Sequence, residues 1–295
     1  MPTTMVFSTM PPHEARPLMP LPQPPHEAHP LVPLFRLFEH MTCSCLPLAC
    51  FGGPGIFTPL PRLHQKSKAV LLIRHGQAQH NPRRDPRWIA RTVAFRDSSL
   101  TPVGVEQAEE ARERLTSKGW VQHLEAVFVS PLSRAVHTAH LIFGDAPFPP
   151  RLLSPLLTER AWWLCDRGTP KEELAARHPF VVKAPWVGME QLERIWWPQQ
   201  IEREEQLAVR TNAFKASLLA RKERVVAVVG HGAFFRTLLD GVTHLPNAQP
   251  RWAELSADGT LTLRPEWDAC NSWAELERVA GMETTKGDEA ARELL

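Results

Sequence analysis

The sequence predicts an α/β fold: a single three-layer domain with a mainly parallel sheet flanked by helices. Three observations carry this. Ala69-Val70-Leu71-Leu72-Ile73, Ala126-Val127-Phe128-Val129 and Val225-Val226-Ala227-Val228-Val229 are unbroken apolar runs, the pattern of strands buried on both faces. A helical pattern follows each run. His, Arg, Ser and Gly stand directly after the runs, and ligands of such sheets bind at the carboxyl ends of the strands.

The chain before the first run has a different character. Fourteen of the 29 prolines fall in residues 1–66. Proline fixes φ and lacks an N–H, so this stretch forms neither a helix nor an interior strand. Pro11-Pro12-His13-Glu14-Ala15 recurs as Pro24-Pro25-His26-Glu27-Ala28, a repeat too short and too proline-rich for a solenoid unit. Residues 1–66 are expected to be a disordered, polyproline-II-like leader.

The folded domain is expected over residues 67–266. After its first strand comes a polar, Arg-rich loop. Thr101 then offers an N-cap and Pro102 a first helical residue, opening a helix to about Thr116 with Gly119 at its exit. Ser133 to Phe143 is the helix behind the second strand. Residues 162–200, with Trp162, Trp163, Trp186, Trp196 and Trp197, read as an irregular insertion with short helices. Glu202 to about Arg221 is a long helix with Leu207, Phe214 and Leu218 on one face. Ala233 to Asp240 follows the third run, and Asp258-Gly259 is a hairpin signal before an edge strand at Leu261-Thr262-Leu263. Beyond Pro265 the pattern weakens, and 267–295 reads as a charged tail.

With 43% hydrophobic and 22% charged residues, the composition excludes wholesale disorder. A net charge of +2 creates no field for nucleic acid or a membrane surface, so neither is expected as a partner. Residues 41–61 are uncharged but broken by proline and glycine, which rules out a spanning helix there. The N-terminus lacks the basic start and apolar run of a secretory signal. Five cysteines, an odd number without zinc-type spacing, point to a reduced compartment. The expected location is cytoplasmic, or an organelle if the leader is a transit peptide.

Arg74-His75-Gly76 ends the first run, Ser130-Pro131-Leu132-Ser133-Arg134 the second and Gly230-His231-Gly232 the third. Two His and two Arg without a carboxylate or thiolate make a poor metal site, so no metal and no cofactor is expected. The same set suits a phosphoryl dianion: guanidinium forks match its oxygens, and helix N-termini add backbone donors. A neutral His can attack phosphorus, splitting the reaction into two steps. Gly76, Gly230 and Gly232 let backbone approach closely. Capping and packing would explain any one of these residues, but the joint arrangement at three strand ends points to a site.

Arg74-His75-Gly76-Gln77 with Asn81 resembles the signature of the histidine phosphatase superfamily, phosphoglycerate-mutase-like branch. The resemblance continues through Asp97, Thr101-Pro102-Val103-Gly104, Ser130 to Ala135, and Val229-Gly230-His231-Gly232, in family order over roughly residues 67–264. It implies that His75 is the nucleophile that becomes phosphohistidine. Arg74, Arg134 and His231 would form the phosphate clamp, with Gly76, Gln77 and Asn81 beside it. The family's proton donor would be Glu159; a surface acid paired with Arg160 is the plainer reading of that residue. Cys165-Asp166-Arg167-Gly168 and Arg210 resemble plant and fungal broad-specificity members.

Two departures bear on activity. Ala78 and His80 replace the small hydroxyl residue and Trp usual in mutases, and Ala161-Trp162-Trp163 replaces a His-Tyr-Gly type segment. These favour hydrolysis. The expected function is a metal-independent phosphatase acting on a phosphorylated small molecule through a phosphohistidine. A phosphoglycerate mutase-type transferase is the alternative, and a non-catalytic phospho-ligand module ranks third. Arg83, Arg84, Arg87, Arg91 and Arg96 either steer a polyanion or form a solvated loop; both readings stay open. Oligomeric state cannot be read from the sequence.

Overall fold

Seven strands form one sheet in the computed structural model, which describes residues 67–82, 85–239, 241 and 243–282. The expected leader, 1–66, lies outside the described residues. The strands are β1 (Lys68–Arg74), β2 (Ala126–Val129), β3 (Arg151–Leu153), β4 (Trp186–Val187), β5 (Val225–Gly230), β6 (Arg251–Leu255) and β7 (Leu261–Leu263). Their spatial order is β4-β3-β2-β5-β1-β6-β7. The first five run parallel; β6 and β7 pair antiparallel at one edge.

The helices are α1 (Trp88–Ala94), α2 (Pro102–Ser117), α3 (Ser133–Phe143), α4 (Lys171–Arg177), α5 (Glu204–Ala220), α6 (Gly232–Leu238), α7 (Pro265–Asp268) and α8 (Trp273–Ala280). Period-two alternation on β1 divides the core. Ala69, Leu71 and Ile73 pack with Ala108, Ala111 and Leu115 of α2 and Ala135, Val136 and Ala139 of α3. Val70 and Leu72 pack on the opposite side with Phe214 of α5 and Phe234 of α6. This is the three-layer α/β architecture that the apolar runs predict.

Residues 267–282 correct the expected charged tail. Trp267, Cys270 and Leu276 are buried in the same cluster as β1 and α2. Ser272 caps α8 by accepting from Glu275 N at 3.2 Å, and Gly281, at φ 62°, ends it. The domain boundary at 266 therefore moves to at least Met282.

Register sets the site. Ile73 pairs with Val229, and Val229 with Val129, so β1, β5 and β2 end level with one another. His75, His231 and Ser130 leave the sheet at the same edge.

Candidate active site

His75 follows β1 directly and is 1% exposed. Its Nδ1 lies 2.7 Å from Gly76 O. A carbonyl only accepts, so Nδ1 carries the proton and Nε2 holds the lone pair. Burial pushes the imidazole pKa well below its ordinary value, and the Arg134, Arg74 and His80 charges push the same way. The ring is thus held neutral in one tautomer. Its backbone is fixed as well: Asn247 Nδ2 donates to His75 O at 2.7 Å, and Gly76 N donates to Thr138 Oγ1 at 3.0 Å.

His231, fully buried, packs against it with ring centroids 5.1 Å apart. Its Nε2 is hydrogen-bonded to Ser130 Oγ at 2.7 Å, and burial followed by the Arg134 charge lowers its pKa well below the usual value. Arg74 Nη1 donates to His244 Nε2 at 2.9 Å and to Leu245 O at 3.1 Å.

Arg134, the second residue of α3, is fully buried. Its Nη1 donates to Cys165 O at 2.7 Å, and Nη2 faces Asp166 Oδ1 at 3.2 Å. Burial pushes Asp166 up to about 6, Arg134 opposes that, and Glu159 reinforces it. Burial likewise raises the Cys165 thiol to about 12, which keeps it protonated and inert. Asp97 sets the start of α3. Its carboxylate accepts from Ser133 N at 2.8 Å and Ser133 Oγ at 2.6 Å, taking the capping position from a distant loop.

Glu159 does the same for α6. Its Oε1 accepts from Ala233 N and Phe234 N, both at 3.1 Å, placing the carboxylate at the helix N-terminus that follows His231. Arg210 holds the backbone of this stretch by donating to Leu156 O at 2.8 Å, Thr158 O at 2.7 Å and Glu159 O at 3.3 Å.

Above these groups opens a cavity of about 320 Å³ whose wall includes Arg74, His80, Asn81, Glu159 and Gly232. His75, His231 and Arg134 are buried and do not themselves line it; His75 follows Arg74 of the wall directly, and its ring centroid is 6.0 Å from that of His80. Arrangements of this kind hold an anion against a neutral imidazole, with a carboxyl group alongside. Residues 70–272 match the family described as Histidine phosphatase superfamily (branch 1).

The chain belongs to the histidine phosphatase superfamily.

Phosphoglycerate mutase-like protein 1 of Arabidopsis thaliana is 27% identical over 214 residues, spanning 63% of this chain and 74% of the relative. Phosphomutase-like protein 3 of Candida albicans is 26% identical over 241 residues, 72% of this chain and 73% of the relative. Among solved structures, the alpha-ribazole phosphatase of Shigella flexneri aligns at 20% identity with a TM-score of 0.45, covering 66% of this chain and 94% of that one.

Most of the residues singled out by the histidine phosphatase signature converge here, but Gln77 does not. Its Oε1 accepts from Thr101 Oγ1 at 3.0 Å, which turns the side chain toward the start of α2 and away from the cavity. Asn81 lines the cavity, while its Oδ1 closes the turn after β1 by accepting from Ala78 N at 2.8 Å. Gly76 serves helix packing rather than phosphate approach: a Cβ there would lie 2.3 Å from Gly104 O. A Cβ at Gly232 would meet the Arg74 guanidinium at 3.3 Å, so that glycine keeps the arginine's path open.

Among the described residues, Arg87, Arg91 and Arg96 of the arginine-rich loop do not line the cavity. Arg87 and Arg91 pair with Asp85 at 3.2 and 2.7 Å, and Arg96 lies over Trp197 at 5.4 Å. Arg83 and Arg84 lie outside the described residues. Arg236 and His244 line the cavity instead. Arg236 sits one helical turn beyond Gly232, a spacing that the sequence displays; His244 follows α6 with no signal to mark it.

Proposed function

We propose that this protein hydrolyses phosphomonoesters in two steps through a phosphohistidine, without a metal. The observation that carries this is His75, buried and fixed by Gly76 O as the Nδ1-protonated tautomer, next to Arg74 and His80 of the cavity wall. In the first step the Nε2 lone pair attacks phosphorus, the ester P–O bond breaks, and Glu159, as general acid, delivers a proton to the departing alkoxide oxygen. Arg74, Arg134 and His231 would stabilise the charge spread over the equatorial oxygens. In the second step Glu159 takes a proton from water, the hydroxide oxygen bonds to phosphorus, and the P–N bond breaks. Inorganic phosphate leaves and Glu159 is protonated again.

Two guanidiniums supply the positive charge that a cation provides in other phosphoryl-transfer sites, so activity is expected to persist in EDTA. Phosphate release from p-nitrophenyl phosphate by the wild type, its loss in His75→Ala, and an acid-labile phosphohistidine trapped on His75 would bear the reading out. Equal release by wild type and His75→Ala would overturn it. Isomerisation of 3-phosphoglycerate faster than phosphate release would replace hydrolysis by the mutase reading that the relatives' names favour.

A further inference from the structure

We infer that the site selects phosphomonoesters whose leaving group carries a planar aromatic ring. The inference rests on the phosphatase reading and names the substrate class for it. Three indoles, Trp88 from α1 and the adjacent Trp162 and Trp163, line the same cavity as Arg74 and Glu159. Trp162 is 47% exposed and Trp163 39%. Among the described residues the other indoles are buried, with Trp120 and Trp252 at 0% and Trp186, Trp196, Trp197 and Trp267 at 5–7%, except Trp273, which is half-buried and stacks on His123. Apolar rings left in water at the mouth of a polar pocket await a ligand surface of the same kind.

Their placement along the chain says which part of the substrate they meet. Glu159, which protonates the leaving oxygen, is three residues before Trp162, and both belong to one cavity wall. A ring attached to that oxygen through a carbon or two therefore arrives among the indoles. Trp162 is held in advance. The Arg160 guanidinium lies 4.7 Å from its ring, and Arg160 is itself tied to Glu202 O at 2.9 Å and Glu204 Oε1 at 3.0 Å. Trp163 N donates to Asp166 Oδ2 at 3.0 Å, the carboxylate whose other oxygen faces Arg134. The stacking platform and the clamp thus share one carboxylate, and little ordering is left for the substrate to induce.

The test compares benzyl phosphate with butyl phosphate, whose alcohols are of similar acidity, so that the comparison reads recognition and not leaving-group reactivity. The expected kcat/KM ratio favours the benzyl ester about ten-fold, the size that one ring-on-ring contact supplies. Trp162→Ala collapses the ratio toward unity, mainly through KM for the benzyl ester, and Trp162→Phe retains it. Equal kcat/KM for the two esters overturns the inference, as does a ratio that survives both Trp162→Ala and Trp88→Ala. Hydrolysis of neither ester nor of p-nitrophenyl phosphate overturns the phosphatase reading beneath it, an outcome distinct from hydrolysis without preference.

Discussion

Lowering the pH from 7.5 to 5.5 should destabilise this domain, by the linkage between proton binding and folding. His178 carries the clearest part. Burial first, then the His137, Arg177 and His140 charges, depress it to about 4. A histidine that stays neutral when folded takes its proton only on unfolding, so its stabilisation is present above pH 6.5 and is lost as pH falls below that value. Across this interval the loss is about 1.3 kcal/mol for His178. His75 and His231, fully buried and also held below their ordinary value, act in the same direction. Asp166 opposes them. Raised to about 6 by burial, it takes up a proton in the folded state over this range and returns part of that loss. Urea unfolding followed by tryptophan fluorescence at pH 7.5, 6.5 and 5.5 measures the sum. His178→Gln should reduce the acid loss by about 1 kcal/mol. A stability that is level or rising toward pH 5.5 would refute the argument.

Three substitutions test the site and its frame. Glu159→Gln keeps an oxygen for Ala233 N and Phe234 N, so the fold should hold while kcat for an alkyl phosphate falls about 10²–10⁴-fold; steady-state rates within a few-fold of wild type would remove Glu159 from the chemistry. Gly76→Ala drives a methyl to 2.3 Å from Gly104 O, and the resulting shift of α2 should cost about 1–3 kcal/mol, seen as a lower melting temperature. Asp97→Ala strips the cap from α3 and leaves Ser133 N without its acceptor, a loss of about 2 kcal/mol by urea titration, with a weaker clamp at Arg134 read as a raised KM.

The layers of the fold were legible because their signals are local. Five-residue apolar runs mark β1 and β5, and Thr101-Pro102 caps α2 as expected, with Thr101 Oγ1 accepting from Gly104 N at 3.1 Å. The strands that escaped notice are short or mixed. β3 has three residues and β4 two, below any useful period, and β6 alternates Arg251 and Glu254 with buried Trp252 and Ala253 at the antiparallel side. α8 could have been found: Ser272 followed three residues later by Glu275, with Gly281 at the end, is a start and a stop signal.

The site was legible to the same extent and for the same reason. His75, Arg134 and His231 stand at strand ends, and register alone brings them level. What positions them is not local. Asp97 reaches Ser133 across 36 residues, Glu159 reaches Ala233 across 74, and Arg134 finds Asp166 across 32. In each case an acid from an irregular segment settles on the start of a helix or on the arginine beside it, where the helix dipole or the guanidinium favours its charge. Outside α4 and β4, segment 155–202 has no regular period of its own because its geometry is imposed from outside. Arg210, on α5, holds three of its carbonyls and pairs with Glu202 at 2.6 Å. A lysine there would offer one ammonium to four acceptors and could not set Glu159 and Trp162 on a common wall. On the proposed reading, the chemistry lies at the strand ends, while recognition of the leaving group depends on a segment whose shape belongs to its neighbours.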